Sequence, residues 1–215
     1  VKPRFLSFEG SEGCGKSTQI QFLNQWLTER GHHVICLREP GGTPLGECVR
    51  DLVKHNPAGQ GMEPESELLL FAASRAELVR KKILPALAAG SWVICDRFMD
   101  STTVYQGLAR QLDANQVAAI NHFVVGSCLP SLTFVLDLEP ELARARMLER
   151  ARTEEKMDRM ESEPLAFYQA VAEGYQRLVL KTPDRMKLIP ATGSRESVFL
   201  SILKELTYAF PSLVD

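Results

Sequence analysis

An α/β fold built on a doubly wound, five-stranded parallel sheet flanked by helices is predicted by three observations. Five short apolar runs occur along the 215 residues, at 4–8, 33–37, 92–95, 132–136 and 186–189. Stretches with apolar residues at helical spacing separate them. The runs lack strict apolar–polar alternation, as strands covered on both faces do. Their alternation with helices implies parallel pairing through right-handed crossovers. In such sheets ligands bind beyond the carboxyl ends of the strands, so the residues that follow each run carry the chemistry.

Directly after the first run, Gly10-Ser11-Glu12-Gly13-Cys14-Gly15-Lys16-Ser17 matches G-x-x-x-x-G-K-[ST]. Ile20, Leu23 and Leu27 then recur at helical spacing, so the motif lies between a strand and a helix, the context that marks a P-loop. Glycines let backbone N–H groups approach phosphate oxygens, and the helix start adds the positive end of its dipole. Residues Gly10, Ser11, Glu12, Gly13, Cys14, Gly15, Lys16, Ser17 and Thr18 are therefore the predicted triphosphate cradle. Lys16 reaches the β/γ-phosphates, and the Ser17 hydroxyl is placed to coordinate Mg²⁺.

The second run ends in Arg38-Glu39-Pro40-Gly41-Gly42-Thr43-Pro44, a rigid turn in which Arg38 offers a phosphate donor. Residues 55–63 hold Asn56-Pro57 and further Gly and Pro signals, and read as an exposed loop. A long helix is predicted from about 64 to 89, with Leu68, Ala72, Ala76, Val79, Ile83 and Leu87 in one apolar stripe. Phe71 and Arg75 are four apart beside that stripe and project together. By residue type alone Phe71 is a core residue and Arg75 a solvated surface charge. The third run feeds Asp96-Arg97-Phe98. A carboxylate at a strand end beside a P-loop can hold Mg²⁺ or its waters, which gives Asp96 and Ser17 a shared metal role, and Arg97 adds a bidentate fork. The cluster Ser101-Thr102-Thr103-Val104-Tyr105-Gln106-Gly107 supplies hydroxyls, a ring and an amide, and also reads as a helix start capped by Ser101. After the fourth run, residues 151–163 are dense in charge and poor in apolar side chains, a candidate mobile flap or a solvated helix turn.

Composition limits the partners. A formal net charge of −2 with interspersed signs gives no polycationic field for a nucleic-acid backbone. The five cysteines and four histidines have neither disulfide-framework nor metal-ligand spacing. No apolar run approaches bilayer length and the first residues lead straight into a strand, so a cytoplasmic protein with no membrane partner is expected.

Together these segments resemble the thymidylate kinases, especially the bacterial type. The resemblance rests on residues 8–18, Arg38-Glu39-Pro40-Gly41-Gly42-Thr43, Glu67 through Arg75, Asp96-Arg97-Phe98, Tyr105-Gln106-Gly107 and Asp158-Arg159-Met160-Glu161, and runs over essentially the whole chain. It implies one nucleoside monophosphate kinase domain over residues 1–215, with a mobile lid at about 150–163. The implied reaction is transfer of the γ-phosphoryl group of ATP to dTMP, with Mg²⁺, for dTTP synthesis, by a homodimer. By resemblance Phe71 stacks on thymine and Arg75 binds the acceptor nucleotide. Arg97 and Arg38 hold its phosphate, Pro40 is a further substrate-binding residue, and Thr102 and Gln106 contact the pyrimidine. Tyr105 crowds the sugar C2′, and Glu12 lies near the 3′ hydroxyl. Gly13 stands where another branch of the family carries an arginine that touches the transferred group. Members similar to this chain supply that charge from the lid, which implies catalytic roles for Arg150 and Arg152 beside Lys16 and Arg97. The alternative enzyme is a deoxynucleoside kinase acting on a sugar hydroxyl, with Glu39 as base.

Overall fold

The structure is a computed structural model describing residues 2–153 and 157–213. Five parallel strands, β1 (Phe5–Glu9), β2 (Val34–Arg38), β3 (Trp92–Asp96), β4 (Leu132–Asp137) and β5 (Met186–Pro190), form one sheet in the order β2-β3-β1-β4-β5. Each expected strand is present within a residue of its predicted ends. The two-faced burial expected of all five holds for β1, β3 and β4, whose residues are nearly all buried. The edge strand β2 leaves Cys36 and Arg38 exposed, because only one neighbouring strand, β3, covers it.

Period-two geometry divides the sheet between two helical layers. Leu6, Phe8 and Ile94 pack with Ile20, Leu23 and Leu27 of α1 (Lys16–Thr28) and Val198, Ile202 and Leu206 of α9 (Arg195–Ala209). Phe5, Val93 and Cys95 point the other way, onto α3 (Pro64–Leu78) and α6 (Ala114–Val125), as the alternating direction of strand side chains requires.

The remaining helices serve the site. α2 (Pro44–Lys54) begins with Thr43, whose hydroxyl accepts from the Gly46 N–H at 3.0 Å, and with Pro44 at its first position. The predicted 64–89 helix is α3, then a π-helical turn Val79–Ile83, then α4 (Leu84–Ala88). The short α5 (Met99–Thr102) runs into a second π-helical turn, Thr103–Ala109, and α7 (Pro140–Thr153) and α8 (Leu165–Lys181) follow β4. Residues 154–156, in the middle of the expected lid, lie outside the described residues.

Candidate active site

Two clefts open past the ends of β1, β2 and β3 and share a wall. The larger, about 1600 Å³, follows the glycine loop and is lined by Lys16, Ser17, Thr18, Arg38 and Asp96, with Arg146 and Arg150 from α7. The smaller, about 460 Å³, is lined by Pro40, Phe71, Arg75, Thr102, Tyr105 and Gln106. Glu12, Glu39, Lys54 and Arg97 border both.

The glycine loop is shaped for anions. Gly15 has φ 97°, and α1 starts behind it with no side-chain cap and no acid in its first turn, so the N–H groups of that turn are left for a ligand. Gly13, at φ +76°, is a point of close approach: a Cβ there would sit 2.5 Å from the carbonyl oxygen of Ala143 in α7. Lys16 Nζ donates to the carbonyls of Ser11 (2.7 Å) and Gly10 (3.2 Å). Ser17 Oγ and Asp96 Oδ2 are 3.5 Å apart. Among the described residues no group of three or more His, Cys, Asp or Glu side chains could hold a metal. One hydroxyl and one carboxylate suit Mg²⁺, which keeps several waters and takes its other oxygens from phosphates.

The shared wall is built on Arg97, whose φ of 69° turns the chain after β3. Its guanidinium donates to Glu12 Oε1 (2.7 Å) and Ser101 Oγ (3.1 Å) and lies 5.0 Å from the Tyr105 ring centre. Tyr105 donates its hydroxyl to Glu12 Oε2 at 2.7 Å. Burial pushes the Glu12 carboxyl up, but Arg97, Lys16 and the Tyr105 hydrogen bond outweigh it and leave it below the ordinary range. Behind this wall, buried Glu9 accepts from the Phe98 N–H, Ser101 Oγ and Tyr175 Oη at 2.6–2.8 Å. Burial, and then the charge of Asp100, raise its carboxyl. Ser101 is not the helix cap its sequence suggests: α5 begins at Met99, and the hydroxyl is drawn to Glu9 instead.

Arg75 departs furthest from its surface-charge expectation, being 1% exposed. Its guanidinium donates to Glu39 Oε2 (2.8 Å), Asn121 Oδ1 (3.1 Å), Thr102 Oγ1 (2.9 Å) and the Phe98 carbonyl (3.3 Å). These partners come from three separate segments, the turn after β2, the Phe98–Thr102 stretch and α6, so no local pattern announces them. Glu39 Oε1 is buried with no partner among the described residues. Burial raises the Glu39 carboxyl to about 7 even though Arg75 opposes the shift. Phe71 is half-buried at the cleft wall, beside the stripe and not in the core where residue type alone would put it. The π-helical turn Thr103–Ala109 buries both Tyr105 and Gln106, and Gln106 Nε2 donates to Glu67 Oε1 at 2.7 Å. Extra-wide turns of this kind are frequent at functional sites, and no sequence signal marks this one.

The flap segment is docked. Asp158 Oδ2 meets Lys54 Nζ at 2.6 Å, Arg159 donates to the Val53 carbonyl (2.7 Å) and to Glu67 Oε2 (2.6 Å), and Arg150 pairs with Glu161. Tyr168 donates to the Met160 carbonyl at 2.7 Å. Arg150 lines the larger cleft, whereas Arg152 is exposed and is not part of its lining. Sequence reasoning passed over Arg50, Lys54, His55 and Arg146, which also line the larger cleft. The spacing of Arg50 and Lys54, one helical turn apart, and of Arg146 and Arg150, likewise, was the available signal.

Comparisons with known proteins point to one family. A sequence profile described as Thymidylate kinase matches residues 8–202. The thymidylate kinase of Chlorobaculum tepidum is 46% identical over 206 residues, covering 94% of this chain and 95% of that protein. That of Thermoanaerobacter pseudethanolicus is 41% identical over 217 residues, covering 100% of this chain and 97% of the other. A crystal structure of thymidylate kinase from Ehrlichia chaffeensis matches with a TM-score of 0.75 at 35% identity, over 94% of this chain and 97% of that one.

Proposed function

The chain belongs to the thymidylate kinase family, and we propose from that premise how its two clefts divide the transfer of the γ-phosphoryl group of ATP to dTMP, which yields dTDP and ADP. ATP places its phosphates along the glycine loop, held by the first-turn N–H groups of α1 and by Lys16. The acceptor base enters the smaller cleft, with Phe71 against its face and Arg75, Thr102 and Gln106 at its edge. Its phosphate lies at the shared wall beside Arg97 and Arg38. The observation that carries this reading is that wall: the two clefts meet at Arg97, so two bound anions would face each other across one guanidinium.

No general base is required. A phosphate monoester has a second pKa of about 6 and is mostly dianionic near neutral pH, so the attacking oxygen carries its own charge. The protein must align two anions and neutralise them, a task suited to Lys16, Arg97, Arg38 and Arg150, with Arg152 approaching as the lid closes. Mg²⁺ at Ser17 and Asp96 would supply charge neutralisation between the donor phosphates. Residues 150–163 serve as the lid that excludes water from the transfer.

The family match disfavours a deoxynucleoside kinase, and Glu39 has a different use here, since one of its oxygens is held by Arg75. The test is ADP release with ATP and a panel of acceptors. A clear lead for dTMP is expected, with thymidine inert. An equal response to AMP or CMP would demote the reading, and turnover of thymidine would replace it.

The chain acts as one kinase domain in the cytoplasm, and no described helix is long and apolar enough to cross a membrane. A homodimer is proposed through α3 and α6, which pack together and carry exposed Leu69 and Phe123, respectively. Sedimentation at twice the chain mass is the expected result.

A further inference from the structure

Glu67 has no place in the mechanism above, yet it is one of the most thoroughly occupied carboxylates in the molecule. It is 1% exposed and lies behind the lining of the smaller cleft. Oε1 accepts from Gln106 Nε2 (2.7 Å) and Arg110 Nε (3.3 Å), while Oε2 accepts from Arg110 (3.3 Å) and Arg159 (2.6 Å). Burial pushes its carboxyl up, but the Gln106 hydrogen bond and Arg110 outweigh that and keep it ionised.

An ionised carboxylate only accepts hydrogen bonds. The amide of Gln106 must therefore turn its NH₂ toward Glu67, which leaves the carbonyl Oε1 as the amide atom available to the cleft that Gln106 lines. Among the described residues no donor reaches that oxygen. On the opposite side of the edge, four of the five N–H groups of Arg75 are engaged by Glu39, Asn121, Phe98 and Thr102, which leaves one donor. The cleft thus offers an acceptor and a donor side by side. That pair complements the imide edge of a pyrimidine, where N3–H donates and O4 accepts. It opposes a cytosine edge, where N3 accepts and the 4-amino group donates.

We infer that Glu67 is a positioning residue for base selection, fixing the Gln106 amide so that the acceptor cleft admits keto-pyrimidine monophosphates and rejects amino-pyrimidine ones. This rests on the smaller cleft being the base subsite. In Glu67→Gln, Arg110 and Arg159 would claim the carbonyl oxygen of the new amide and leave its NH₂ facing Gln106. Gln106 would then rotate and present its own NH₂ to the cleft.

The test is direct titration of dTMP and dCMP into wild-type protein, Glu67→Gln and Arg159→Gln, without ATP so that transfer plays no part. In Glu67→Gln the ratio of dCMP to dTMP dissociation constants should fall roughly ten- to hundredfold. The fall should come from weaker dTMP binding with dCMP affinity not reduced, since N3 of cytosine gains a donor while Arg75 still faces its 4-amino group, whereas mere damage weakens both nucleotides. Arg159→Gln, which keeps the Glu67–Gln106 contact, should hold the ratio near its wild-type value. Equal weakening of both nucleotides in Glu67→Gln, or a ratio lowered as much by Arg159→Gln, would overturn the inference. A measurement on the wild-type protein stands apart from folding of the variants. The side-chain NH₂ resonance of Gln106, assigned by its loss in Gln106→Ala, should be protected from solvent exchange, and rapid exchange would also overturn it. If Phe71→Ala leaves dTMP affinity unchanged, the base subsite itself is misplaced, a failure separable from that of Glu67.

Discussion

Lys16 keeps its ammonium group on the carbonyls of Gly10 and Ser11, so the loop holds the cation where a phosphate would meet it. Removing it deletes a donor without removing core packing. Lys16→Ala should lower turnover by at least ~100-fold with an unchanged circular dichroism spectrum, and a near-normal rate would contradict the P-loop assignment. Glu39 gives a pH signature. Its carboxyl is raised from an ordinary 4.5 to about 7, so folding favours the protonated form. Its stabilising contribution is complete below about 4.5 and is lost as pH rises through about 7, a change on the order of 3 kcal/mol. The stability of the wild type relative to Glu39→Gln should therefore decline between these limits, read from melting temperatures across the range. A difference independent of pH would refute the assignment. Both effects show what a linear chain reveals of single residues. Lys16 is declared by its motif, whereas the burial of Arg75 and Glu39 depends on Thr102 and Asn121, which only the folded chain brings near.

At the scale of elements, α7 joins two functions. Its middle packs against the glycine loop at Gly13, and its end carries Arg150 to the larger cleft, so a single helix links the cradle to the flap. Replacing Arg150 and Arg152 together by Ala should reduce phosphoryl transfer by roughly 10³-fold or more while leaving dTMP affinity nearly intact. The reverse pattern, measured by single-turnover kinetics beside equilibrium binding, would remove the flap from catalysis. Strands were legible to within a residue because apolar runs bounded by turn residues admit few alternatives. From residue pattern the flap was legible as a charge-dense stretch, and its lid role came only through resemblance. Its docking depends on Lys54 and Glu67, partners 104 and 92 residues away that no periodicity reports. The π-helical turns were also invisible, since one extra residue in a helical turn leaves the apolar pattern almost unchanged.

For the whole molecule, packing on both faces of the sheet holds the fold, and no described cluster of ligands ties it to a metal. Chelation of Mg²⁺ should abolish turnover and leave the melting temperature unaltered, as expected if the proposed ion serves the reaction and not the scaffold. A parallel fall in both would show a structural ion. The contact between residue 13 and α7 also bears on descent. At φ +76°, with the Ala143 oxygen 2.5 Å from where a Cβ would stand, the loop has no room for the arginine used by the other branch. A side chain at residue 13 would have to displace α7, the helix that carries Arg150, so an arginine there and α7 in its present position exclude each other. A ligand that depends on the bare backbone at residue 13 therefore meets a position with little freedom to change.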